Sequence, residues 1–120
     1  MWREHRIILT IFCGRRDRME ILLKYLEKLH EIGILDEVHL WDYCRQQTDR
    51  EWLYNLDRSN LYKIFPADRN IHWNSYYKFY YQMVANNPQN KMILIKCDDD
   101  VVSIDNEHFT DFLDFRIDNP

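Results

Sequence analysis

Glycine is scarce in this sequence: Gly14 and Gly33 are the only two in 120 residues. One glycine after the first strand-like segment argues against a glycine-rich phosphate loop there, because such a loop needs several residues without side chains. Cysteine is also sparse. Three cysteines is an odd number, and no Cys-x-x-Cys pair occurs, which points to reduced thiols in a cytoplasmic setting. No block of Lys and Arg exists, and the net charge is −4. Neither nucleic acid nor an anionic membrane is therefore the expected partner. No apolar run approaches transmembrane length. The N-terminus, Met1-Trp2-Arg3-Glu4-His5-Arg6, is too charged and its apolar stretch too short for a secretory signal. The five histidines are scattered without metal-ligand spacing, so they read as ordinary surface or half-buried residues.

What is abundant is apolar and aromatic. Hydrophobic residues make up 46% and aromatics 15%, which gives one domain a real core and excludes a disordered chain. Arg6 to Cys13 is a continuous, β-branched-rich run that reads as a strand buried on both faces. Asp17 then looks like a helix N-cap with Glu20 reaching back, and Met19, Leu22, Leu26 and Leu29, widened by Leu23, form one helical stripe. Gly33 suits the end of that helix. Glu37 to Asp42 reads as a second strand. Thr48-Asp49-Arg50-Glu51 repeats the capping pattern for a helix through about Leu56. Leu61 to Phe65 is a third strand, closed by Pro66. A third helix is expected from Asn74 or Ser75 with a stripe of Tyr77, Tyr80, Tyr81 and Val84. Lys91 to Cys97 is a fourth strand, and Asn106 is the expected cap of a last helix carrying Phe109, Phe112 and Leu113. Alternating strands and helices predict an α/β fold, a Rossmann-like, mostly parallel sheet with helices on both faces.

In such sheets ligands sit at the carboxyl ends of the strands, where strand order reverses. Four loops should share that rim: Cys13-Gly14-Arg15-Arg16-Asp17-Arg18, Asp42-Tyr43-Cys44-Arg45, Ala67-Asp68-Arg69-Asn70, and Asp98-Asp99-Asp100. Arginines and aspartates facing one another suit an anionic ligand held by guanidinium groups and a metal ion, although single rim arginines are usually just solvated. The three aspartates stand apart, because crowded carboxylates after a buried strand repel unless a cation relieves them. In an extended backbone Asp98 and Asp100 project together with Asp99 opposed, and two hard oxygen donors suit Mg²⁺ or Mn²⁺. The plain alternative is an acidic turn. Cys13, Cys44 and Cys97 at strand ends read as small buried thiols. The aromatic helix stripe reads as core, with Trp73 before it the best placed for a ligand contact.

These segments resemble the nucleotide-sugar-binding half of a GT-A-fold glycosyltransferase, and are most similar to small bacterial and large-DNA-virus members. "IILTIFCGRRDR" resembles the first strand and base-binding loop, "VHLWD" the second strand, and "MILIKCDDDVV" the strand bearing the DxD motif. The resemblance implies a metal-dependent enzyme that moves a sugar from a nucleotide-sugar donor, by family habit UDP-linked, to a glycan or other hydroxyl acceptor. It implies Asp100 as direct ligand of Mn²⁺ (or Mg²⁺), Asp98 or Asp99 holding the ribose and supporting the metal, and Asp42 accepting from base or ribose. Cys13, Gly14, Arg15 and Arg16 would line the base pocket with Arg18 nearby, and Lys78 would reach the diphosphate. The acceptor site and catalytic base of the family often lie in a further half. With the chain stopping at Asp118-Asn119-Pro120 just after a helix, a domain truncated on its C-terminal side is expected and the catalytic residue stays unassigned. Two other readings remain: a non-catalytic nucleotide-binding module, and a sugar-nucleotide nucleotidyltransferase, which the single Gly14 disfavours. A response-regulator receiver would need its acidic cluster after the first strand, where this chain has arginines.

Overall fold

The computed structural model describes residues 1–57, 60–66, 74–101 and 103–120, with Asn74 and Ser75 described as backbone only. Strands and helices alternate: β1 (Arg6–Cys13), α1 (Arg16–Glu31), β2 (Glu37–Asp42), α2 (Gln47–Tyr54), β3 (Tyr62–Pro66), α3 (Asn74–Asn86), β4 (Met92–Asp98) and α4 (Asn106–Asp118). The four strands form one sheet in the order β3-β2-β1-β4. Every pairing is parallel, with Leu9 opposite Val38 and Ile95, and Leu40 opposite Ile64. This is the expected Rossmann-like α/β arrangement.

Alternation along the strands assigns each residue to a face. One face takes Ile7, Leu9, Ile11 and Cys13 from β1 and Val38 and Leu40 from β2. They pack with Met19, Leu22, Leu26 and Leu29 of α1, Leu53 of α2, and Phe109 and Leu113 of α4 in one cluster of buried side chains. β1 is apolar on both faces apart from Arg6 and buried Thr10, because the other face is covered too: Ile8 is buried, and Phe12 meets Tyr76 of α3 at a ring separation of 4.6 Å. That second layer is aromatic and polar. His39 Nδ1 lies 2.7 Å from the Tyr80 hydroxyl and its Nε2 lies 3.0 Å from Glu37. Trp41 Nε1 donates to the same Tyr80 hydroxyl at 2.9 Å. One tautomer satisfies all of these contacts: Nε2–H donates to Glu37 and Tyr80 donates to Nδ1. Lys63 Nζ sits 2.8 Å from Glu37, and Arg6 pairs with the same carboxylate.

Several local expectations shift. α1 begins at Arg16 with Arg15 at the N-cap. Asp17 therefore sits inside the first turn, where its carboxylate accepts from the Arg18 amide at 3.0 Å, and Glu20 pairs with Arg16 instead of reaching back. α2 begins one residue before Thr48, with Gln46 at the N-cap. The cap of α4 is Asp105, whose carboxylate accepts from the Glu107 and His108 amides. Gly33 does close α1, at φ 84°, the left-handed conformation that a side chain resists. On α3 the buried face is Tyr76 and Tyr80, while Tyr77, Tyr81 and Val84 are exposed. The helix packs one residue earlier in phase than expected, because Tyr76 and Phe79 fill the gap over Phe12, Trp41 and Phe65. Phe112 is exposed rather than buried, and His39, at 2% exposure, is a core residue rather than a surface one.

Candidate functional site

The chain lays β2 and β3 on one side of β1, then returns to place β4 on the other. Strand order thus reverses between β1 and β4, and the loops leaving these strands part at their carboxyl ends to leave a crevice. A pocket of about 370 Å³ occupies that position, lined by Phe12, Gly14, Arg15, Tyr43, Arg45 and Asp99.

Each wall has a local cause. Phe12 is the last β1 residue on the α3 side, and its ring contacts Tyr43 at 4.9 Å. The Tyr43 amide donates to the Cys13 carbonyl at 3.0 Å, extending the β1–β2 ladder one residue past Asp42 and delivering Tyr43 and Arg45 to the rim. β4 ends at Asp98, where the Val101 amide donates to the Asp98 carbonyl at 3.3 Å. The extended backbone expected through Asp100 therefore stops at Asp98, and alternation no longer sets which aspartates share a side. Asp99 turns inward: its Oδ2 accepts from the Gly14 amide at 3.1 Å, and its Oδ1 lies 3.7 Å from Arg15. A Cβ on residue 14 would stand 2.9 Å from that Oδ2. The glycine thus permits this close approach and is not needed for an unusual φ.

Of the expected site residues, Gly14, Arg15 and Asp99 come together in the pocket. The others are elsewhere. Cys13 points into the core on the opposite side of β1, and burial pushes its thiol well up, as it pushes Cys44 to about 12 and Cys97 to about 11. Arg16 is exposed and pairs with Glu20 at 2.7 Å; Arg18 is exposed on the first turn of α1. Asp42 lies beneath the rim with its acceptors taken: the Cys44 amide donates to it at 3.1 Å and Arg50 Nε at 2.9 Å. Lys78 is exposed two residues past buried Tyr76, on the side of α3 turned away from the sheet. Asp98 and Asp100 are exposed at the turn. Ala67, Asp68, Arg69, Asn70 and Trp73 lie outside the described residues.

Phe12 and Lys96 were not singled out from sequence, while Tyr43 and Arg45 stood in the second rim loop without an assigned role. Phe12, Tyr43 and Arg45 line the pocket, and Lys96 of β4 stands against one of its walls, its Nζ 5.0 Å from the Phe12 ring centre and 3.6 Å from Asp98. A run buried on both faces does not disclose which residues look toward which helix, so Phe12 carried no signal. Lys96, the one cation in an apolar strand, did carry one.

The arrangement sets two guanidinium groups, one carboxylate and a backbone amide around two aromatic rings. It complements a ligand with a flat apolar part and an anionic part. Arg15 is also the N-cap of α1, and its side chain makes no cap hydrogen bond, so positive helix-end dipole and guanidinium coincide there. Among the described residues, no three His, Cys, Asp or Glu side chains converge as a metal cluster, and no helix is long and apolar enough to cross a membrane. Compared with known proteins, the chain matches no protein-family description, no curated protein and no solved structure.

Proposed function

We propose that this pocket binds the nucleotide of a sugar donor, and that the chain is the donor-binding part of a metal-dependent, GT-A-like glycosyltransferase. The observation that carries this reading is the join between the two loops that resemble the family's motifs: Gly14 after β1 and Asp99 after β4 meet directly at the strand-order reversal. Phe12 and Tyr43 offer the flat apolar wall a base requires, while Arg15 and Arg45 offer cations for phosphate oxygens. Lys96 is better placed for the diphosphate than Lys78.

The donor chemistry at the β4 turn fits a hard divalent ion. Asp99 is committed to Gly14 and Arg15, which leaves Asp98 and Asp100 as exposed carboxylates to hold Mn²⁺ or Mg²⁺. When bound, such an ion neutralises charge growing on a departing diphosphate. The residues of this chain orient the donor: the aromatic wall seats the base, and the arginines fix the phosphates so that an acceptor hydroxyl meets the anomeric carbon. The commitment of Asp99 also supports a second reading, a module that holds nucleotide without turnover, since among the described residues no other carboxylate lines the pocket.

Calorimetric titration with UDP and GDP, each with Mn²⁺ and with chelator, tests the proposal, repeated on Asp99→Asn and Asp100→Asn. Binding that needs nucleotide and metal together, lost in Asp100→Asn and weakened about tenfold or more in Asp99→Asn, is the expected result. No binding to folded protein under any condition would overturn it. Binding of the nucleotide-sugar without sugar release to water or an acceptor would select the module.

A further inference from the structure

We propose that β4 is a self-association edge, at which two copies of the chain pair antiparallel about a two-fold axis to make one continuous sheet. This goes beyond the donor-site reading and does not depend on it.

β4 is an outer strand. The Arg6 amide donates to the Lys91 carbonyl at 2.8 Å, so odd-numbered residues bond to β1. The backbone N–H and C=O groups of Met92, Leu94, Lys96 and Asp98 consequently point to the open side. Among the described residues nothing pairs with them. The other outer strand, β3, has five residues, ends in Pro66 and carries Lys63, features that discourage edge pairing. β4 has seven residues with an apolar first half, Met92-Ile93-Leu94-Ile95.

Apolar side chains flank that edge on both faces. On α3, Phe79 packs toward Trp41 and Phe65 of β2 and β3. Tyr77, Tyr81 and Val84 occupy the opposite flank, on the β4 side, at 50%, 77% and 44% exposure. On α4, Trp2 and Arg3 bind Asp114, and Arg3 also binds Asp118. Met1 of the same segment is anchored to Gly33, Ile34 and Asp36 at the end of α1. That flank of α4 therefore faces α1, and Phe112 and Phe115, at 51% and 67% exposure, face out beyond β4. An open strand edge bracketed by two exposed apolar helix flanks is what a continuing sheet with its own covering helices buries.

Charge selects the occupant. The strand is preceded by Lys91 and ends at Asp98, with Asp99 and Asp100 in the turn that follows. Parallel addition of a like strand would set acid against acid. Antiparallel pairing centred on Ile95 sets the Lys91 end of each strand against the partner's turn, beside its exposed Asp98 and Asp100, which a closed two-fold repeats on both sides. A second copy is thus the occupant the strand itself complements. The two pockets then lie at opposite ends of the joint sheet, with the partner's Lys91 beside each acidic turn.

Sedimentation and light scattering across a dilution series test this. The expected species has 30.0 kDa, twice the 15.0 kDa chain, and dissociates on dilution. Leu94→Pro removes an outward N–H, which an outer strand tolerates in the monomer. Tyr81→Glu and Phe115→Glu alter exposed positions that folding does not need. Each should weaken association about tenfold or more, with Ile21→Glu on the far helix α1 as the unaffected control. A monomer at every concentration would overturn the proposal, as would a dimer that withstands Tyr81→Glu and Phe115→Glu. Should Leu94→Pro fail to fold, those two variants decide the matter.

Discussion

β2 and β4 both end in aspartate at the same rim, yet their carboxylates are used in opposite ways. Asp42 is 6% exposed, and both its oxygens are filled, by the Cys44 amide and Arg50. Asp98 has a side-chain exposure of 71% and, among the described residues, a distant lysine at 3.6 Å as its ion-pair partner. The other end of β2 repeats the closed pattern, with Glu37 held by Lys63, His39 and Arg6. A carboxylate whose lone pairs are filled by its own fold is part of the framework. One left open at a loop is free to meet a ligand. Asp99 stands between these cases, bonded to Gly14 and Arg15 yet lining the pocket.

The largest effect that would test the contrast is at Asp42. Asp42→Ala leaves Arg50 Nε and the Cys44 amide without their acceptor, which should cost about 1–3 kcal/mol in urea unfolding. Arg50 is partly exposed and recovers some of this through water. Asp98→Ala at the open end should change stability by less than about 0.5 kcal/mol. Equal losses at both positions would break the comparison.

Acid titration probes the Glu37 end. Burial lowers the His39 pKa; burial pushes Glu37 up, but its Lys63, His39 and Arg6 partners outweigh this and together hold it below its ordinary value. In both cases the unfolded chain binds protons more readily than the folded one, so stability is complete above the unfolded pKa and declines as pH falls. Thermal melts should therefore hold steady above pH 6.5, decline below it as His39 is forced to protonate, and decline further below pH 4.5 as Glu37 does. Glu37→Gln should shrink the lower phase, leaving the share of Asp105 and Asp114, which are also held low. A melting temperature that is flat from pH 7 to pH 4 would show that the buried pair carries no stability.

Gly14→Ala should also change folding little. Its new methyl group meets only the tip of Asp99, so stability should move by less than about 1 kcal/mol. The displaced carboxylate should nevertheless reduce nucleotide affinity in the titration described above, separating the pocket from the framework.

The alternation of strands and helices was legible in residue order, since long apolar runs and stripes report burial directly. β1 and β2 fall where their apolar runs do, and Gly33 ends α1 as its freedom at positive φ requires. The phase of α3 was not legible. Four tyrosines and a phenylalanine within six residues, Tyr76 to Tyr81, offer several apolar faces of similar size, and only the shape of the Phe12, Trp41 and Phe65 surface selects Tyr76, Phe79 and Tyr80. His39 looked ordinary because its partners, Glu37 apart, come from another element. At the site, Gly14, Arg15 and the acidic triplet stood out by residue type. Which aspartate turns inward depends on where β4 stops pairing, and Tyr43 and Arg45 reach the pocket because β2 is the neighbour of β1.

By itself, then, the sequence determined the class of fold and the strand ends where charge collects, because burial period and residue chemistry act locally along the chain. Only tertiary structure decided that Asp42 would be closed, Asp99 would meet Gly14, and β4 would stand at the edge. Those outcomes follow from strand order and helix phase, which are set by contacts between segments far apart in sequence.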